Sequence, residues 1–561
     1  MSEILHILSF KLLSSAKLTT ELRIDNIVKN LASIIVFGGF AIGAFYFTQT
    51  STAYLLDNTR IGLFLFHRFL SMLLFVFFLS INVGNIIVAY ATFYRSEETM
   101  YLLTKPVSHV NLFIIKFLDI FFYSSTVLML MAIAVLIGYG SYFNMSLLFY
   151  IQAIVLMFIP YMLISGCIAV MILLLVMRYA IKIGPTKLII GLAIGYLGSL
   201  IIYFRLTNPV KLVSSVNQYY PNINEYFGFL DPYFAKFLPN HWIAESLYWT
   251  AKGDPSRAIL YTGLLLIATV VVFVAMAFLA KKIFYSSWLS SLDLRSNTES
   301  RRSLLSIFSL TKASKIEQQT SVLVRKELWQ FLREPSQWIH LGIISVLIGT
   351  FVISIYRFDL NVSQPFYLAV SYLVILLFSA FLIASIALRF VYPMTSIEGP
   401  SFWKVRSAPI SVDKIFWVKF LIAILPIVIV SEILVIFSHR PLHNFPILRT
   451  VAIVLMMGVS FALVSLNLGS GTFFGNFKEK NPIRIASSQG ATLTFLISII
   501  YLIFLVSIIF FPLYSYFGFI IDKTSFNPDS LFYAVVVFFA VSIVMGFSAL
   551  WIGRHALKRD F

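Results

Sequence analysis

A chain of 561 residues that is 59% hydrophobic and only 12% charged, with a mean hydropathy of +0.90, cannot be a water-soluble globule and reads as a polytopic membrane protein. The net charge of +18 would suggest nucleic acid in a soluble protein, but the basic residues here gather in polar stretches between apolar windows, as the positive-inside rule describes. Cys167 is the only cysteine, which rules out an intramolecular disulfide and a cysteine-based metal cluster.

In chain order, a weakly amphipathic stretch with Leu5, Leu8, Leu12, Lys11 and Lys17 comes first, without the pattern of a cleaved signal. Apolar windows long enough to cross about 30 Å of hydrocarbon follow at 31–50, 62–92, 110–139, 146–177, 187–204 and 258–280. The segment 205–257, with Asp231, Pro232, Pro239, His241, Trp242 and Trp249, is expected as either a short interfacial helix or a connection on the membrane surface. Residues 281–320, rich in Ser, Arg and Lys, are predicted as a linker. In the next stretch Lys326, Leu328, Trp329, Phe331 and Arg333 belong to an interfacial amphipathic helix that Pro335 stops. Further windows lie at 338–356, 366–391, 414–438, 447–468, 490–514 and 531–553.

The fold class is thus an all-α polytopic membrane protein with about twelve transmembrane helices. Both halves start on the same side, which makes them two parallel six-helix repeats. The domains read as a first half over 1–290, a cytoplasmic linker over 291–320 and a second half over 321–561. Roughly three quarters of the Lys and Arg residues fall on one side of this topology, which assigns both termini to the cytoplasm and suits anionic headgroups.

A repeat carries the argument further. Pro106–Leu118 recurs as Pro409–Leu421, with Pro, Ser, Phe, Lys, Phe and Leu in register. In each copy a short polar stretch containing glutamate precedes the repeat and a long apolar helix follows, so the repeated unit is an elbow between two spans, over 95–107 and 396–410. The first elbow spells about three helical turns ended by Pro106. The second carries its own Gly399–Pro400 break, which predicts a shorter helix with a heavier aromatic knob. Ser108 and Ser411 are placed to N-cap the helices that follow, and Lys116 and Lys419 to snorkel back toward headgroups. Large apolar side chains beside acids on such a segment suit docking onto a partner.

The run Ser396-Ile397-Glu398-Gly399-Pro400-Ser401-Phe402-Trp403, then Ser407-Ala408-Pro409-Ile410-Ser411 and Lys419-Phe420, resembles the coupling elbow of type-2 ATP-binding-cassette (ABC) exporter permeases, particularly the large duplicated ones of bacteria. Arg325–Trp338, Leu238–Glu245 and Asn481–Gly490 are similar to that group too. The first elbow lacks the Gly-Pro-Ser-Phe-Trp run. The resemblance implies a non-enzymatic permease subunit of the bacterial inner membrane, driven by two separate cytoplasmic ATPase subunits that hold the ATP and Mg, with no cofactor on this chain. It implies coupling residues Glu97, Glu98, Tyr101, Leu102, Pro106, Glu398, Gly399, Phe402, Trp403 and Pro409. The alternatives are an ion-coupled secondary transporter with parallel repeats and a non-transporting membrane assembly protein.

Other chemistry is sparse. The chain has no Gly-x4-Gly-Lys-Ser/Thr phosphate loop, and Gly469–Gly475 is expected as a loop between spans. Glu432 is the best candidate for an intramembrane acid, with Arg440 as its expected partner. Arg68, His67, Arg357 and Arg449 are expected at interfaces, and Asp119 is expected to pair with Lys116. His439 and His443 have the spacing of a helical metal pair, but Pro441 between them argues against a metal site, and none is expected.

Overall fold

In a computed structural model, the described residues are 24–558 apart from 59–60, 107, 218–224, 298–317, 333–334, 357–363, 441–445, 478, 480–481, 524 and 526. Among them every regular element is a helix. Arg333, Arg357, His443, the N-terminal stretch and most of the 291–320 linker fall outside the described residues, as does the side chain of Glu97.

Among the described residues ten helices are long and apolar enough to cross a membrane, so the protein is a multi-pass membrane protein. The expectation of twelve spans is corrected at two places. The window at 110–139 is a helix bent by 50° between Thr126 and Leu128, which makes eleven spans if the bent pair is one. Just before the bend the Thr126 hydroxyl bonds the Phe122 carbonyl. The window at 338–356 lies in the Pro335–Tyr356 helix, of which His340–Ile355 counts among the described residues as a shorter apolar helix.

Proline sets the boundaries. Helices open at Pro185, Pro239, Pro255, Pro365 and Pro446, where the missing N–H would have had no partner in any case. Inside longer runs proline instead disturbs the ladder. The wide turns Ala153–Phe158 and Ala387–Val391 lie just before Pro160 and Pro393, which cannot donate to the carbonyls one turn back.

The chain forms two compact units, one of residues 37–306 and one of residues 23–36 with 307–561. In the first, Ile159–Ile183 packs against both Leu63–Tyr94 and Pro255–Asn297. Phe93, Phe113 and Phe284 close the elbow end of that core, with Phe93 and Phe113 stacked 4.8 Å apart. In the second unit the centre is Pro446–Phe473, whose span window is 72% buried, more than any other. Its Leu455, Met456, Val459 and Leu463 meet Leu373 and Leu376 of one neighbour, Leu505 and Ile509 of a second and Phe538 of a third.

Gly469–Gly475 departs from expectation. Gly469 and Gly471 lie in the last turns of the Pro446–Phe473 helix rather than in a loop. A Cβ on Gly469 would stand 2.1 Å from the Ala549 carbonyl oxygen, and one on Gly471 would stand 2.1 Å from that of Tyr392. Glycine is needed there because two backbones touch.

Candidate functional site: the elbows and their buried lysines

Each elbow sits over the start of a long helix. Ser108 accepts from the Asn111 N–H at 3.2 Å and Ser411 from the Lys414 N–H at 3.3 Å, so both serines are the N-caps their positions suggest. Two turns further on, Lys116 and Lys419 are each 1% exposed. They do not snorkel. Both turn back under the elbow and pair with its glutamate.

In the second unit the Lys419 ammonium reaches Glu398 at 2.6 Å, Glu327 at 2.7 Å and the Met394 carbonyl at 3.1 Å. Lys326 reaches Glu398 at 2.6 Å and Glu327 at 3.2 Å. Two cations and two anions thus neutralise one another in a site where Glu398 and Glu327 side chains are 2% and 5% exposed. This joins the Gln318–Leu332 helix, the elbow and the Val412–Ser438 helix at one point. Desolvated charges of this kind are tolerated only when each has its opposite.

The elbow itself is two short turns, Ser396–Ser401 and Phe402–Arg406. Between them Gly399 takes φ 61° and ψ −156°, a backbone open to glycine and strained for other residues. This turn places Glu398 inward. Phe402 is buried too, stacked on Phe477 at 5.2 Å, so the expected Phe402–Trp403 knob is corrected to Trp403 alone. Trp403 is 64% exposed, beside exposed Lys404 and Pro409.

The first elbow is a continuous helix, Glu97–Leu103, tied down by the buried Thr99 hydroxyl, which donates to the Thr92 carbonyl at 2.7 Å. Lys116 pairs with Glu98 at 2.6 Å and lies 3.8 Å from Asp119, so Asp119 is its second partner rather than its first. Glu98 is 49% exposed here, unlike the enclosed Glu398. Tyr101 and Pro106 are exposed and Leu102 is half-buried, with the Lys105 ammonium 4.6 Å from the Tyr101 ring.

On the Gln318–Leu332 helix, Leu323 packs on Ile415 and Val418. Leu328 and Trp329 are half-buried, and Phe331 lies 5.8 Å from Phe390 and 6.2 Å from Trp338. Sequence reasoning had Lys326 here as a surface charge and did not single out Glu327 as a site residue. The signal that could have found them is a Lys-Glu pair set between apolar residues, Leu323 before it and Leu328 and Trp329 after it.

A second polar cluster lies in the first unit, at the end of Leu63–Tyr94 away from the elbow. Arg68, expected at an interface, is buried between Asp231 at 2.7 Å and Glu245. Glu245 also accepts from Tyr226 at 3.1 Å and from the Trp249 indole at 2.8 Å. Burial pushes the Asp231 carboxyl up to about 6 despite Arg68, and pushes His241 down to about 3. His67 is buried as well, bonded to Tyr139 at 2.8 Å. Glu432 does not find Arg440: both its carboxylate oxygens are buried without a hydrogen-bond partner among the described residues.

Comparison with known proteins finds no curated protein and no solved structure that matches. One family model does match, over residues 23–560, under the description "Putative ATP-binding cassette". This corrects several expectations. The match is to an ATPase-type, ATP-binding-cassette family and not to the exporter permeases that the elbow motif resembles. It overturns the reading of the chain as a permease without ATP binding that is driven by separate ATPase subunits. With that reading go the expectations of a non-enzyme and of no cofactor on this chain.

The glycine-rich run does not fit a nucleotide, since Gly469 and Gly471 are closed against the Ala549 and Tyr392 backbones where a phosphate would need open N–H groups. Matched over nearly its whole length, residues 23–560, the chain belongs to this ATP-binding-cassette family.

Proposed function

We propose that this chain works as a multi-pass membrane protein of an ABC-type transport system, and that its elbows pass movement between a partner surface and the spans. The observation that carries the reading is the second elbow. Trp403 stands exposed on a turn whose base is anchored by Glu398, Lys419, Lys326 and Glu327. A push on the indole is delivered through that anchor to the Gln318–Leu332 and Val412–Ser438 helices together, because the charges cannot separate without exposing one another unpaired.

In this proposal the two halves are parallel repeats joined by the 291–320 linker, as the shared elbow motif suggests, and the domains run 1–290 and 321–561. The elbows and both termini face the cytoplasm of a bacterial cell, following the basic residues. The Gln318–Leu332 helix lies in the interface, and a partner protein of the transport system docks against Trp403, Lys404 and Pro409. The first elbow offers Tyr101, Leu102 and Pro106 to the same end. Its open Glu98–Lys116 pair makes it the softer contact.

Replacing Trp403 with Ala in the full chain tests this. An exposed aromatic anchor at a docking face costs 2 kcal/mol or more when truncated, about 30-fold in association. The expected result is that the assembly loses nucleotide-dependent change in span accessibility by about that factor while insertion and yield stay unchanged. Tyr101→Ala is expected to have a smaller effect. Unchanged coupling in both variants would sink the proposal. Binding of labelled ATP with Mg to the purified chain, measured alongside, identifies where the nucleotide sits.

A further inference from the structure

We propose that Asp231, His241 and Glu245 form a divalent-cation site of the zinc class at the end of the Leu63–Tyr94 helix opposite the elbow. One ligand atom from each lies within 4.8 Å of the others, and all three residues are buried. His241 and Glu245 are one turn apart on the Pro239–Lys252 helix, so they share a face. Asp231 arrives from the turn before it, and Pro239 fixes where the helix starts.

Two further observations point to a missing ligand. The His241 side chain is 5% exposed, yet its ring makes no hydrogen bond to any described residue; its Nε2 stands 3.7 Å from Glu245 Oε1, too long for one. Asp231 Oδ2 is buried with no hydrogen-bond partner among the described residues. Arg68 Nε and Nη1 are buried in the same volume without a hydrogen bond among the described residues, so the polar groups around Asp231 and His241 are not closed by the protein alone. Tyr203 and Ser71 are satisfied by Asn240, and Glu245 by Arg68, Tyr226 and Trp249.

The charge balance agrees. Arg68 pairs with both carboxylates and so compensates one charge, while Lys236 acts on Asp231 through charge alone, without an ion pair among the described residues. An imidazole with two carboxylates is a donor set for zinc, with manganese or nickel as weaker fits. A tetrahedral ion holds its ligand atoms about 3.3 Å apart, so the three groups need to close by about 1.5 Å, within reach of side-chain rotation. Arg68 and Trp249 meanwhile hold the carboxylates in place through the outer hydrogen bonds that metal ligands require. With three protein ligands the fourth position stays open. The positive balance once the ion is bound suits water or an anionic group there.

The test uses the full chain in nanodiscs, purified without a polyhistidine tag and stripped with a chelator. Titration with zinc chloride, read by calorimetry and by metal content, is expected to give one ion per chain. His241→Gln and Asp231→Asn are each expected to weaken binding at least about tenfold. Arg68→Gln separates a metal site from a plain ion-pair network. It is expected to lower the melting temperature without metal, and zinc is then expected to restore it with a larger shift than in the natural chain. Absence of stoichiometric zinc, equal affinity in His241→Gln and Asp231→Asn, or an Arg68→Gln chain that zinc does not restore would each overturn the site. Should His241→Gln fail to fold, the Asp231 and Arg68 variants decide.

Discussion

Lys419→Ala is expected to destabilise the second unit by about 3–5 kcal/mol, the usual cost of removing one partner from a buried ion pair. Glu398 and Glu327 are both enclosed, and Lys419 is the cation that touches both from within the Val412–Ser438 helix. Lys326, the other cation, is 31% exposed and keeps only the outer side of the cluster neutral. Thermal unfolding in detergent checks the size of the effect. Restoring neutrality with Glu327→Gln on the Lys419→Met background, which leaves Glu398 to Lys326 at 2.6 Å, is expected to recover much of the loss, because the penalty comes from orphaned charges rather than from lost attraction. Lys116→Ala in the first unit is expected to cost clearly less, since Glu98 is half in solvent and Asp119 is already a partner at 3.8 Å. Equal losses at the two lysines would show that enclosure of the elbow glutamate is not what distinguishes the units.

Gly469→Ala is expected to be as damaging, about 3 kcal/mol or more, although it adds one methyl group. The Cβ would meet the Ala549 carbonyl oxygen at 2.1 Å and its carbon at 2.6 Å, and on the other side a Cβ at Gly553 would meet the Gly469 Cα at 2.6 Å. These neighbours are backbone atoms and cannot rotate away. The only relief is to part Pro446–Phe473 from Pro528–Lys558, which opens the contacts of Leu463, Leu468 and Phe538 in the core of the unit. Gly263→Ala supplies the control. It lies in Pro255–Asn297 with nothing within 4 Å of its Cβ position, and is expected to be neutral or to stabilise by up to about 1 kcal/mol. Melting temperatures of the two variants in the same detergent settle the comparison.

The spans were legible because a bilayer demands length and apolarity that composition alone reveals. The bend between Thr126 and Leu128 was not, because a Thr inside an apolar run is ordinary in sequence. The elbows were legible as a repeat, down to the capping roles of Ser108 and Ser411. Their chemistry was misjudged at Glu398 and Phe402. Both were assigned to a docking face, and both point into the protein, since a turn around Gly399 sends adjacent residues to opposite sides.

The same limit explains Arg68. A charge near the end of an apolar window looks interfacial, and the partners that bury it, Asp231 and Glu245, lie far along the chain. The family match shows a further limit of motif reading: an elbow-like run resembled permeases, while the chain as a whole matches an ATP-binding-cassette family.

The sequence by itself determined that this chain lives in a membrane, that it is helical, and that one elbow motif occurs twice. Each of those rests on local composition or on a pattern within one stretch of chain. Only the tertiary structure decided that Lys116 and Lys419 turn inward, that Lys326 and Glu327 complete a neutral buried cluster, that Gly469 is a point of backbone contact, and that Asp231 and His241 are left open beside Glu245. Electrostatic and steric energies depend on distance in space, and these pairs are brought together by helices that the order of residues does not place side by side.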